Sequence, residues 1–236
     1  MRVTWSWSVI LVLILATQAL AAEEPLLGGG AMEMVRQGGV VMWVILGGSV
    51  VGLALAFERI MSLRQRNLLP DDLVVAVRQA IRSGSFEEAR SLAASGTTPL
   101  ARVIAAGLSR IEEPGPMEKT MEAVAGQEVQ RLKRPVRPIA ILASVMPLLG
   151  LLGTILGMIR TFNLLSGVNA ADRVETLAPG IGQALYTTAA GLMVSIPFLL
   201  LFHYLNGQVN RAATEWGVLG TELVLAAGDR SVRGPE

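Results

Sequence analysis

The chain has 236 residues, of which 52% are hydrophobic, 17% charged and 5% aromatic, with a mean hydropathy of +0.51. An ordinary soluble domain carries about 25% charged residues, so this composition is that of a membrane protein. The absence of cysteine excludes disulfides, thiolate metal sites and cysteine nucleophiles, and one histidine leaves little room for a zinc or haem centre, so no metal or cofactor is expected. With 20 basic and 19 acidic residues there is no global basic field, which excludes nucleic acid as a partner.

Residues 1–22 open with Arg2, run through an apolar stretch from Val9 to Ala16, and end in Ala19, Leu20, Ala21 and Ala22 before Glu23. A basic start, a short apolar run and a small-residue A-x-A pattern describe a secretory signal peptide cut after Ala21 or Ala22, with an uncleaved anchor as the alternative. Residues 23–39 then form an external segment. Residues 40–57 are 18 uncharged positions, about 27 Å as a helix, enough to cross a hydrocarbon core. Two further uncharged runs, 138–159 with 22 residues and 179–205 with 27, complete three mature transmembrane helices.

Orientation follows from the charges beside the spans. Arg59, Arg64 and Arg66 follow the first span and Arg131, Lys133, Arg134 and Arg137 precede the second, against only Glu58 and Glu128. The external flank and the 160–178 loop hold Arg36, Arg160 and Arg173 against Glu23, Glu24, Glu33, Asp172 and Glu175. Basic residues stay on the cytoplasmic side, so the N-terminus is expected in the periplasm and the C-terminal residues 206–236 in the cytoplasm.

The insert 58–137, with 13 basic and 10 acidic residues, is expected to be a cytoplasmic helical domain. Asp71 and Asp72 can cap a helix carrying Leu73, Val74, Val77 and Ile81 and stopping at Gly84. Ser85 to Glu88 reads as a capping box for a helix ending near Gly96. Thr98-Pro99 starts a third, and the break Pro114-Gly115-Pro116 precedes a long amphipathic stretch from Met117 towards Arg134. Pro135 and Pro138 predict a kink where this stretch meets the second span. No period-two pattern occurs, so the predicted fold class is an all-α integral membrane protein.

Inside the membrane, Gly150, Gly153, Thr154 and Gly157 share one helical face of the second span, and Gln183, Thr187, Gly191 and Ser195 share one face of the third, with Thr188 on its adjoining edge. Small residues allow close backbone approach, and hydroxyls at bilayer depth must face protein or a wet cavity, so these stripes can be a packing seam or a pore lining. Neither stripe carries an acid or base able to hold a proton. If protons move here, the carboxylate comes from another chain.

The segments PLLGLLGTILGM (147–158) and APGIGQALYTTAAGLMVSIP (178–197), with MVRQGGVVMW (34–43) leading into the first span and FER (57–59) leading out, resemble the MotA/TolQ/ExbB proton channel family, and its ExbB/TolQ branch most. The resemblance covers residues 33–206 in order and topology. It implies a homo-oligomeric ring, a pentamer in this branch, with the second and third helices lining a central pore. It implies an ExbD/TolR-like partner with a transmembrane aspartate inside that pore, and a TonB/TolA-like protein that carries the work of an inner-membrane motor to the outer membrane.

By position, Thr154 and Thr188 correspond to the family's two pore-lining threonines, with Gln183, Thr187 and Ser195 as further candidates for the ion pathway and Gly150, Gly153, Gly157 and Gly191 as helix-packing residues. Gln183 stands where several members have glutamate, which removes the one acid this chain could have contributed. A passive membrane scaffold without ion conduction is the competing expectation, and neither reading makes the chain an enzyme.

Overall fold

A computed structural model of the protein describes residues 39–165 and 173–233. The expected signal peptide, most of the segment 23–39 and part of the 160–178 loop lie outside the described residues. Among the described residues every regular element is helical. In chain order these are α1 (Gly39–Ser62), α2 (Gln65–Leu68), α3 (Asp71–Ser83), α4 (Phe86–Ser95), α5 (Pro99–Leu108), α6 (Pro114–Lys133), a 3-10 turn (Arg134–Val136), α7 (Arg137–Leu165) and α8 (Arg173–Arg233). Among the described residues three helical stretches are long and apolar enough to cross a membrane: Gly39–Ser62, Gly115–Leu165 followed through the 3-10 turn, and Gly180–Asp229.

The described residues divide into two compact units, one drawn from 39–54 with 139–200 and the other from 55–138 with 201–233. The first holds the apolar parts of α1, α7 and α8. Its exposed side chains are mostly large and apolar, among them Val40, Leu53, Leu148, Ile155, Leu185 and Ile196, with Arg160 and Asn163 near the end of α7. Such a surface is stable only in a hydrocarbon solvent, where backbone polar groups must be satisfied within the helices.

In the second unit the helices α3 to α6 pack in sequence, each on the next. Their ends follow local rules unevenly. α3 stops at Gly84, which takes φ +70° and returns its N–H to the Ala80 and Ile81 carbonyls, as a left-handed glycine cap does. At its start Pro70 is the cap and Asp71 and Asp72 sit inside the first turn, so these carboxylates act on the helix dipole rather than as caps.

The capping box expected at Ser85 does not form. The Ser85 hydroxyl faces the Ser83 hydroxyl at 2.8 Å instead of the first turn of α4. Thr98 does cap α5, its Oγ1 accepting from the Ala101 N–H at 3.3 Å with Pro99 at the first helical position. The break at Pro114 and Pro116 is itself the first turn of α6, three residues earlier than expected. Neither proline costs a hydrogen bond there, because first-turn N–H groups have no intrahelical acceptor. The α-helical pattern is interrupted at Arg134–Val136 by the 3-10 turn that contains Pro135.

A heptad-like row on α8, Leu205, Val209, Ala212, Trp216, Leu219 and Leu223, is buried, and it supplies the core of this unit together with Val77, Leu100, Ile104, Leu108 and Met117. Trp216 is almost wholly enclosed and donates its indole N–H to the Leu68 carbonyl at 3.1 Å. Arg78 reaches Glu222 with Nε and Nη2 at 3.1 and 3.3 Å. Arg102 forms a tighter fork on Glu128, 2.8 and 2.6 Å, and also donates Nη1 to the Thr97 carbonyl at 2.7 Å. The hydrogen bonds to Glu128 raise the Arg102 pKa above its ordinary value, desolvation opposing them.

Candidate ion pathway between the second and third apolar helices

Small residues let α7 and α8 approach backbone to backbone. A methyl added to Gly191 would lie 2.5 Å from the Met146 carbonyl oxygen, and one on Gly150 would lie 2.8 Å from that of Thr187. One on Gly153 would meet Thr187 Oγ1 at 2.5 Å, and one on Gly157 would meet Ala184 Cβ at 3.1 Å. The pairings run antiparallel along both helices, from Met146 with Gly191 to Thr161 with Gly180. All four glycines expected at a packing seam lie in it.

Besides Thr161, which donates to the Gly157 carbonyl at 2.9 Å, four hydroxyls are set into or beside this seam. Thr187 is 1% exposed and donates to the Ala184 carbonyl at 2.8 Å, with that of Gly150 at 3.4 Å. Thr154 and Thr188 are half-buried at its edge and hydrogen-bond to each other, either one able to donate. Both also reach the Gly150 carbonyl at 3.2 Å, and Thr154 reaches that of Ala184 at 3.2 Å. Ser195, 6% exposed, donates to the Ala143 carbonyl.

The three threonines therefore share two carbonyls, each of which already accepts one helical N–H. A carbonyl has two lone pairs, so one hydroxyl proton goes to each carbonyl and the third lies between Thr154 and Thr188. The cluster consumes its own donors. What remains available at its half-buried edge is acceptor capacity on the hydroxyl oxygens, suited to a water or an acidic O–H.

The stripe Gln183, Thr187, Gly191, Ser195 divides in the folded chain. Its last three members face α7, whereas Gln183 is partly exposed, its Nε2 lying 3.7 Å from where a methyl on Gly39 would sit, with Arg160 Nη1 3.8 Å from the same point. A second glycine pair escaped the sequence reading. Gly48 and Gly52 of α1 face Met146 and Phe198, with methyls there falling 2.1 Å from Met146 Cε and 2.4 Å from Phe198 Cζ. The signal was present, since GSVVG is itself a G-x-x-x-G.

Residues 95–217, which include this hydroxyl cluster, match the MotA/TolQ/ExbB proton channel family. The chain belongs to that family. Among curated relatives it is 36% identical over 204 residues to a putative biopolymer transport protein ExbB-like 1 of Synechocystis, covering 82% of this chain and 78% of the relative. It is 30% identical over 200 residues to a putative biopolymer transport protein ExbB homolog of Methanothermobacter thermautotrophicus, covering 80% and 71%. A Tol-Pal system protein TolQ of Haemophilus influenzae shares 32% identity over 99 residues, covering 42% and 43%. These relatives place the chain in the ExbB/TolQ branch, and with its three apolar helices it is a multi-pass membrane protein of a family that serves energy-transducing transport and envelope systems.

Proposed function

We propose that this protein is the ring-forming subunit of a proton-motive-force-driven motor in the bacterial inner membrane, and that α7 and α8 line its ion pathway. The observation that carries the reading is the Thr154–Thr188 hydroxyl pair, held at the edge of a glycine seam by backbone carbonyls. No acid or base lies within the apolar segments of α7 and α8 apart from His203 near the end of one of them. The titrating carboxylate is therefore supplied by a single-span ExbD/TolR-like partner enclosed by a pentamer of this chain, and a TonB/TolA-like protein delivers the work. Thr154 and Thr188 accept a hydrogen bond from the protonated carboxyl or an intervening water, and Gln183 offers a neutral amide beside the same pathway. The charge bias of the flanks supports a cytoplasmic position for residues 58–137 and the end of α8 and a periplasmic N-terminus.

The test is Thr188→Val in the complex purified from its own membrane and reconstituted in vesicles under a valinomycin-imposed potential. Proton flux is expected to fall at least tenfold while native mass spectrometry shows the same copies of both subunits. Unchanged flux would sink the pathway assignment. A passive scaffold is the second reading, favoured by the fact that all four hydroxyls find acceptors within the chain. It expects a homo-oligomer without a single-span partner, and indifference to Thr154→Val and Thr188→Val.

A further inference from the structure

Pro147 lies inside α7 and has no N–H, so the carbonyl four residues earlier, that of Ala143, is left without its helical donor. Ala143 is 3% exposed, and an unpaired carbonyl at that depth in an apolar helix is strongly unfavourable. The donor that fills the gap belongs to another helix. Ser195 Oγ of α8 donates to the Ala143 oxygen at 2.5 Å, one turn along from Gly191, where a methyl would meet the Met146 carbonyl. The two helices are thus joined on both sides of the proline, before it by the serine at Ala143 and after it at Gly150, whose Cα would lie 3.1 Å from a methyl on Gly191.

We infer that Ser195 is a positioning residue, which replaces the backbone donor missing at Pro147 and so fixes the path of α7 from the proline to Thr154. The direction a helix takes beyond a proline is set by what satisfies the freed groups. Seven residues separate Pro147 from Thr154, two turns, so a change of direction at the proline is carried directly to the Thr154–Thr188 contact. Ser195 on this account does not meet the translocated ion. Its effect on flux rests on the pathway proposed above, whereas its pairing with the Ala143 carbonyl does not.

The two claims are separated by a double-mutant cycle on the native complex, read by thermal unfolding in detergent and by proton flux in vesicles. With Pro147 present, Ser195→Ala is expected to lower Tm and to reduce flux about threefold, the scale of one interhelical hydrogen bond within a membrane. In the Pro147→Ala background residue 147 regains its N–H, the Ala143 carbonyl is satisfied within α7, and Ser195→Ala is expected to change Tm no further. If Ser195→Ala alone fails to assemble, recovery of the complex in the double variant is the same result.

An equal fall in Tm with and without Pro147 would reduce Ser195 to ordinary packing and overturn the inference. A cycle that behaves as expected in Tm, with flux unmoved by both Ser195→Ala and Thr188→Val, would leave the pairing standing and remove the pathway reading instead.

Discussion

The apolar seam of α7 and α8 and the bundle of α3 to α6 with the end of α8 are both all-helical, yet they hold polar groups in opposite ways. In the seam, glycines bring backbones together and short hydroxyls close on carbonyls, so the polar contacts are neutral and of short reach. In the bundle, large side chains fill the core and long side chains add ion pairs, Arg102 with Glu128 and Arg78 with Glu222. Where the surface faces hydrocarbon there is no hydrophobic gain from bringing helices together, so proximity itself must provide the binding. In the bundle, burial of Trp216, Leu219 and Met117 supplies the driving force and small residues matter less.

The sharpest way to break this contrast is to add one methyl to the seam. Gly191→Ala places carbon 2.5 Å from the Met146 carbonyl oxygen, and Gly157→Ala places it 3.1 Å from the Ala184 Cβ, a contact that a few tenths of an ångström of helix displacement relieves. The first is expected to disrupt assembly, at a cost of about 3 kcal/mol, the upper end of what overpacking brings about, and the second to be tolerated within about 1 kcal/mol. Complex recovery by native mass spectrometry distinguishes them, and equal behaviour would mean that the helices slide freely along the seam. Truncating a large side chain probes the other region. Trp216→Ala removes the largest fully buried side chain of the bundle and leaves the Leu68 carbonyl without the indole donor, a loss of about 4 kcal/mol. It should appear as protease sensitivity of residues 58–137 with the apolar helices still inserted.

The ion pairs rank below these. Glu128 is 9% exposed at its side chain and Arg102 39%, so Arg102→Met removes a partly solvated partner and leaves the carboxylate with Arg131 alone, at 3.8 Å, and about 1 kcal/mol is expected in thermal unfolding. The raised Arg102 pKa fixes the sign of any pH effect. A cation stabilised in the folded state contributes fully below its unfolded pKa and is lost only as pH rises through the folded one, which lies in strong alkali. Titration from pH 6 to 9 should therefore leave this contribution of Arg102 untouched, and a fall in bundle stability over that range would have to come from another group.

How far each region was legible follows from the same contrast. The small-residue faces of the seam are legible in the sequence, because glycine and threonine periodicity on two uncharged segments is a local signal and the partner helix is the next one in the chain. Hidden from it are the departure of Gln183 from its stripe, the contact of Thr161 with Gly180 and the bond that Ser195 makes. The freed carbonyl at Ala143 follows from Pro147 by counting four residues, but nothing in the sequence says which donor of another helix arrives there. The bundle gave up its helix breaks at Gly84, Thr98 and Pro114 and none of its pairings. Arg78 with Glu222 spans 144 residues and Trp216 with Leu68 spans 148, distances over which spacing carries no information.

Helix caps are the smallest effects, and they sharpen the lesson about local signals. Ser85 and Thr98 are both side chains of the preferred type, each ahead of a helix, and Ser85 even has Glu88 three residues on. Only Thr98 accepts from its helix. Pro99 follows it and holds extended backbone before α5, with Thr98 at φ −77° and ψ 156°, which aims Oγ1 at the Ala101 N–H. Ser85 follows Gly84 in a tight left-handed turn, with φ −84° and ψ 64°, and its hydroxyl faces Ser83 instead. Thr98→Ala is therefore expected to lower bundle stability by about 1 kcal/mol and Ser85→Ala by only a few tenths, since no helical N–H depends on it. Equal losses in chemical unfolding would mean that residue type, rather than the backbone path leading into the helix, decides whether a cap forms.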